Sequence, residues 1–448
     1  MWLLPSLKNI RVIQKRAGWD RSQVLAYQEQ QFRDLLRYVW NESPFYHGFY
    51  SDHGIREQDL ADLTHQDLPI LSKEILMESF DRISKNPVLR REPIEAWIHA
   101  STDSPIYEKQ FLILHTSGTS GTMGIFAYDK HAWSRMRGVT TRAGSVRINP
   151  FNRVRLAYYG ATHGRFAGVS SCSTLPRGLC NFRLCSILDP MSKTVKILND
   201  LQPEHLFGYA NGIQELAVAA IDGQLRIRPS HVTTSGEPLT DQALAAIKEA
   251  WGLEPTNAYG TTESLCLGIQ TPGQENITLM EDETIIEILD TDDRQAEPGE
   301  SGRMVITSLY NRAIPVIRYD LRDLVTRGHR KADECFDNIL RVEGRANDAL
   351  PVKLEDGSMD KIHPVVLSEF FVPGVRKFQF IAESDSEVRI KYIAGGDLDS
   401  EIRDEFVRIL TLKGAEGATS VTAERVDELP ADQATGKHRL VLLQAAKS

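Results

Sequence analysis

The chain has 448 residues, of which 41% are apolar and 25% charged, and 52 Lys and Arg against 61 Asp and Glu give a formal net charge of −9. At about 150 residues per domain, that is room for a large α/β unit and a smaller one. The acidic balance leaves no bulk positive field for nucleic acid or an anionic membrane.

The opening segment MWLLPSLKNI breaks its apolar run at Pro5 and Lys8, too early for a secretory signal. No stretch approaches the about 18 apolar residues of a spanning helix. The expectation is a soluble, cytoplasmic protein. Residues 21–42 read as an amphipathic helix, with Leu25, Phe32, Leu35, Leu36, Val39 and Trp40 recurring at three- and four-residue steps. In LPILSKEIL, Ser72 is placed to cap a helix that starts at Lys73. From residue 111 the pattern becomes strand, loop, helix. FLILH runs straight into TSGTSGTMG, RVRLAYYG and HLFGYA repeat the strand-then-glycine pattern, and HVTTSGEP precedes the helical stretch TDQALAAIKEAWG. Strands separated by helices imply a mostly parallel sheet, with ligands at the strands' carboxyl ends.

After residue 280 the chain turns β-rich, with ETIIEILD and GRMVITSLY as strands. Near residue 344 a small α+β unit begins, in which KFQFI and EVRIKYI alternate as a hairpin, a helix follows, and TSVTAERV is a further strand. The expected domains are therefore 1–343 and 344–448. The five cysteines argue for a reducing compartment. Cys172, Cys180 and Cys185, downstream of His163, lack the paired spacing of a zinc site and read as inert buried thiols.

Residues 116–124, TSGTSGTMG, put five hydroxyl side chains and three glycines into one short loop. Glycine lets backbone N–H groups turn inward around an anion, and hydroxyls add donors. The loop is not a Walker A sequence. With TSGEP (234–238), NAYGTTES (257–264), PVIRYDLRDL (315–324), GRAND (344–348) and ATGKHR (434–439) it forms an ordered series. That series resembles the adenylate-forming superfamily, and more narrowly its phenylacetate–CoA ligase and capsule-type adenylyltransferase branch.

The resemblance implies a large N-terminal adenylate-forming domain of mostly parallel sheets with a β-rich subdomain, plus a small mobile α+β C-terminal domain. It implies ATP-dependent activation of a carboxylic acid (an aryl acid or modest acyl chain) to an acyl-adenylate. Pyrophosphate leaves, and the acyl group passes to a thiol, with ATP, Mg²⁺ and coenzyme A as cofactors. Thr116, Ser117, Gly118, Thr119, Ser120, Gly121 and Thr122 would wrap the β- and γ-phosphates, although Met123 stands where the family usually carries Lys. Gly236, Glu237 and Pro238 would line the adenine pocket, Tyr259 would pack on adenine beside Gly260, and Thr261 and Thr262 would face the α-phosphate. Glu263 would bind Mg²⁺, Asp323 would accept both ribose hydroxyls, and Arg345 would sit beside ribose and phosphate. Asn347 would be the hinge, and Lys437 would reach the α-phosphate. Tyr158, Tyr159, His163, Phe207 and Tyr209 would shape the acid pocket.

Each residue also has a plainer reading. Tyr259 fits a core tyrosine, Glu263 a helix N-terminal carboxylate, Asp323 a surface pair with Arg318 or Arg322, and Lys437 a solvated tail lysine. The alternatives to coenzyme A are a carrier-protein phosphopantetheine supplied in trans or an amine. A non-catalytic nucleotide-binding relative is the rival from another class.

Overall fold

A computed structural model describes residues 3–100, 105–116, 123–143, 153–162, 164–175, 178–237, 239, 241–342, 350–362, 366–367, 370, 372–384, 386–429 and 440–443. Ser117–Thr122, His163, Pro238, Arg345, Asn347 and Lys437 lie outside the described residues.

The helices are α1 (Leu3–Arg16), α2 (Arg21–Glu42), α3 (Pro44–Asp52), α4 (Lys73–Glu78), α5 (Phe80–Ile83), α6 (Arg91–His99), α7 (Lys130–Thr140), α8 (Ala167–Ser173), α9 (Met191–Leu201), α10 (Ala210–Ile221), α11 (Asp241–Trp251) and α12 (Asp399–Lys413). Helix α2 spans the segment its periodicity predicts. It is opened by a capping box between Asp20 and Gln23 and buries Phe32, Leu35, Leu36 and Val39. Ser72 caps α4 by accepting from the Ile75 N–H at 3.3 Å.

Strands β1 (Ile106–Tyr107), β2 (Phe111–His115) and β3 (Ile125–Tyr128) form a small antiparallel sheet. The sequence pattern suggests strand, loop, helix here, but the glycine-rich loop returns into β3, and α7 starts only at Lys130. A fully buried strand, IFAY, reads as a short apolar run that sequence cannot separate from the start of a helix. The loop is thus a hairpin loop with no helix N-terminus behind it.

The main sheet has eleven strands among the described residues. In its parallel half, β5 (Cys180–Ser186), β4 (Val154–Gly160), β6 (His205–Tyr209), β7 (His231–Ser235) and β8 (Thr256–Tyr259) lie side by side. The other half is antiparallel and continues through β9 (Gly268–Gln270), β10 (Ile277–Leu279), β14 (Asn338–Val342), β13 (Tyr319–Arg327), β12 (Ser301–Ser308) and β11 (Thr284–Leu289). This is the β-rich stretch expected after residue 280, joined edge to edge with the parallel strands.

Beyond residue 350 no described strand joins that sheet. β15 (Leu350–Lys353) and β16 (Met359–Ile362) pair as a hairpin. β17 (Val375–Ser384), β18 (Glu387–Ala394), β19 (Ser420–Arg425) and β20 (Val441–Leu443) form a four-stranded sheet against α12. Apolar contacts bridge this unit and the helices under the parallel half, with Phe370, Phe380 and Phe406 in the same cluster as Tyr159, Ile213 and Leu216. Lys413 reaches across to Ile187 O at 3.4 Å while pairing with Asp360 at 2.9 Å.

Candidate active site

Parallel strands place their carboxyl ends on one edge, and Gly236, Glu237 and Tyr259 stand there. Gly236 and Glu237 follow β7, and Tyr259 ends β8. Gly236 has φ +79°, and a Cβ there would come within 2.8 Å of the Tyr209 ring, so this turn needs glycine to lie against the aromatic wall. Gly260 is held as tightly, since a Cβ would collide with the Leu265 carbonyl.

Three segments far apart in sequence meet at this edge. Tyr128, on the strand leaving the glycine-rich loop, donates its phenol to Thr262 O at 2.7 Å. Tyr319 on β13 donates to Glu263 Oε1 at 3.4 Å. Tyr259 donates to Asp323 Oδ2 at 2.6 Å. The surface-pair reading of Asp323 is weakened by where its arginine neighbours go. Arg318 pairs with Glu287 at 3.2 Å and Arg322 with Glu74 at 2.6 Å. Burial and the adjoining Asp323 carboxylate push the Tyr259 phenol well above its usual range, so it stays a donor.

Glu263 is the most buried acid of the group. Its surroundings raise its pKa, chiefly through loss of water, against the opposing charge of Lys73 and a hydrogen bond with Thr261. Sequence reasoning missed Lys73 as a site residue, along with Tyr128 and Tyr319. Lys73 is brought in by β-type pairing of its own segment: the Leu71 N–H donates to Arg318 O at 2.8 Å, and Leu71 O accepts from the Asp320 N–H at 3.0 Å. No local signal in LSKEIL announces that neighbour. A carboxylate in a dry place with few compensating charges suits a hard cation that also binds substrate phosphates.

The neck of the glycine-rich loop is closed by a reciprocal pair. The Thr116 N–H donates to Gly124 O at 2.8 Å, and the Gly124 N–H donates to Thr116 Oγ1 at 2.8 Å. Met123 is buried in the large apolar cluster and also lines a cavity of about 420 Å³ between the two units. The other walls of that cavity include His115, Phe166, Leu188, Val366 and Ile409.

The aromatic residues expected around the acid divide between the two faces of the sheet. Tyr158 packs with Phe207, Val169 and Cys172 under α8, and its ring centroid lies 6.2 Å from that of Tyr209. Tyr159, the next residue on the same strand, faces the opposite side with Cys185, Ile187 and Ile213. Alternation along a strand forces this, so the two tyrosines do not share one wall. Cys172, Cys180 and Cys185 are buried free thiols, and burial raises the pKa of each. No cluster of metal-ligating side chains occurs among the described residues.

The chain overlays on a 2-hydroxyisobutyryl-CoA ligase solved with 2-HIB-AMP and CoA, with TM-score 0.60, 16% identity, and coverage of 95% of this chain and 91% of that one. The fold is that of the adenylate-forming ligases. An open conformation of the same ligase overlays with TM-score 0.54 at 16% identity, over 94% of this chain and 91% of that one. By sequence the chain is 24% identical to phenylacetate-coenzyme A ligase of Pseudomonas putida over 348 residues, 73% of this chain and 72% of that protein. It is 20% identical to protein CapK of Staphylococcus aureus over 83% of this chain and 79% of CapK. Its sequence likeness is therefore to the phenylacetate–CoA ligase and CapK branch. No family model matches the chain. No described helix is long and apolar enough to cross a membrane.

Proposed function

We propose that the protein is an AMP-forming acid–thiol ligase, which activates a small carboxylic acid with ATP and passes the acyl group to coenzyme A in the cytoplasm. The observation that carries this reading is the convergence of the loop hairpin, the β8 end and β13 through Tyr128, Tyr259, Tyr319, Glu263 and Asp323. In-line attack of a carboxylate on the α-phosphorus asks the protein mainly to position the reactants and neutralise charge.

In this reading Tyr259 orients the Asp323 carboxylate toward the ribose hydroxyls and presents its ring to adenine, with Gly236, Glu237 and Pro238 on the other side. The loop Thr116–Thr122 binds the β- and γ-phosphates, while Thr261 and Thr262 face the α-phosphate. Glu263 would hold Mg²⁺, a fit supported by its burial with no arginine bonded to it among the described residues, and the ion would neutralise phosphate charge. Lys73 adds a cation beside Glu263, which offsets the Met123 that stands in the loop. Tyr158, Phe207 and Tyr209 form one side of the acid pocket near His163.

Residues 1–343 and 344–448 are proposed as the two domains, with Asn347 the hinge and Arg345 beside it. The separation of strands on either side of residue 350 supports that division. Lys437 belongs to the small domain and would reach the α-phosphate only in the adenylating orientation.

The test separates the half-reactions. ATP–pyrophosphate exchange is measured with aryl and aliphatic acids, phenylacetate among them, and the acyl-thioester is then identified with coenzyme A, a carrier protein or an amine as acceptor. Lys437→Ala should slow adenylate formation about 10²- to 10³-fold, yet still transfer the acyl group from a presynthesised acyl-adenylate. Equal losses in both halves would defeat the two-orientation scheme. ATP binding without exchange for any acid would favour a non-catalytic nucleotide-binding protein.

A further inference from the structure

We propose that His115 is a positioning residue whose neutral imidazole holds the neck of the glycine-rich loop in the geometry that grips the β- and γ-phosphates. His115 is the last residue of β2 and leads directly into Thr116. Its side chain is buried, although nothing in the expected chemistry uses it.

Both ring nitrogens are engaged. Nε2 lies 3.1 Å from the Arg165 backbone N–H, and Nδ1 lies 3.2 Å from Thr116 O. A backbone N–H can only donate, so Nε2 accepts, the ring proton sits on Nδ1, and Nδ1 donates to Thr116 O. The His115 backbone N–H donates in turn to Arg165 O at 3.3 Å. Ring and backbone thus pin Gly164–Arg165, in the turn after β4, to the first residue of the loop. Arg165 is fixed on its other side, where its guanidinium stacks over Trp97 at 4.0 Å.

Phe166 and the Gly164 backbone flank the ring. Phe166 lies 4.4 Å from it, centroid to centroid. Gly164 has φ +69°, and a Cβ there would come within 3.1 Å of His115 Nε2 and 2.6 Å of Phe166. Among the described residues the neck is also closed by the Thr116–Gly124 pair, and His115 sets where that pair sits relative to the turn after β4. A hairpin loop without a helix N-terminus behind it, and with Met123 in place of a cation, depends on the aim of its own N–H groups.

This inference rests on reading the loop as a triphosphate cradle, and AMP, which lacks the β- and γ-phosphates, separates the two claims. Binding of Mg·ATP and of AMP is measured by calorimetry for the full chain, His115→Phe, His115→Gln and Gly164→Ala, with melting curves for each. His115→Phe should weaken Mg·ATP about tenfold, the net size of one hydrogen bond, and leave AMP within about twofold. His115→Gln, whose amide oxygen can accept from the Arg165 N–H, should recover most of the loss. If His115→Phe does not fold, Gly164→Ala supplies the same ATP-selective loss by displacing the ring.

Equal loss of ATP and AMP, no loss of ATP, or a Gln variant as weak as Phe would overturn the positioning role while leaving the functional reading intact. A native chain that binds neither nucleotide would overturn that reading and this inference together.

Discussion

Two buried groups of carboxylates in this protein are built on opposite plans. One lies where α1 and α7 meet the Glu281–Asp282–Glu283 segment, and there arginines meet each acid. Arg142 holds Asp282 at 2.7 Å, Arg21 holds Glu281 at 2.6 Å, and Arg135 holds Glu283 at 2.9 Å, with Arg16 also bonded to Glu283. Tyr27 joins the set, accepting from Arg16 at 2.8 Å and from Arg135 at 2.6 Å. The other group, Glu263 with Asp323, is held by tyrosine phenols, and Lys73 is the cation acting on Glu263. Closed ion-pair networks fix structure, whereas Glu263, whose pKa burial raises despite the charge of Lys73, is poised to take a ligand's cation. The contrast separates the acids that clamp the N-terminal helix from those proposed to meet a nucleotide.

The strongest way to break the contrast is at the clamp. Glu283→Ala strands the Arg16 and Arg135 guanidiniums in a buried site and should cost about 3–5 kcal/mol. Melting should move down by several degrees, and proteolysis near residue 20 should become faster. ATP affinity of the folded protein should stay within about twofold by calorimetry. A matching loss of ATP affinity would mean that the two groups form one functional unit.

At the site the pattern should invert. Asp323→Ala removes charge-assisted hydrogen bonds of about 1.5–3 kcal/mol each, so ATP should bind about a hundredfold more weakly in a calorimetric titration. The melting temperature should move little, because Asp323 is only half-buried and Tyr259, which donates to it, keeps its packing. Unchanged ATP affinity would remove Asp323 from the site.

The smallest effect sharpens the comparison most. Burial raises the native pKa of Glu263, so the folded state takes up its proton at a higher pH than the unfolded chain. The stability it contributes is full below the ordinary value near 4.5 and is lost as pH rises through the shifted pKa. Glu263→Gln should therefore melt higher than the native chain at pH 7–8, by about 1 kcal/mol, and the advantage should fade as pH falls toward 4.5. Pyrophosphate exchange should be lost in the same variant. A Gln variant that melts lower at neutral pH would make Glu263 a structural acid like Glu283.

Much of the frame was legible before any coordinates. The α2 periodicity, the Ser72 cap and the strands at FLILH, RVRLAYYG and HLFGYA appear at the expected places, because each depends on neighbours within a few residues. Less legible was the loop's return into β3, since IFAY is apolar throughout and carries no period. The resemblance puts Tyr158 and Tyr159 together in the acid pocket, but adjacent residues of a strand send their side chains to opposite faces.

By itself the sequence determined the order of the motifs, the donors that each loop can offer, and the change from alternating strands and helices to a β-rich stretch. All of these follow from local spacing and residue type. Only the tertiary structure decided which charges stand together. Lys73 reaches Glu263 because Leu71 pairs with the β13 edge, and Arg16 reaches Glu283 across 267 positions of chain. His115 meets Arg165, 50 positions along the chain, because the end of β2 lies against the turn that follows β4. Such contacts depend on how strands stack and helices pack at long range, and no window of neighbouring residues encodes the partner.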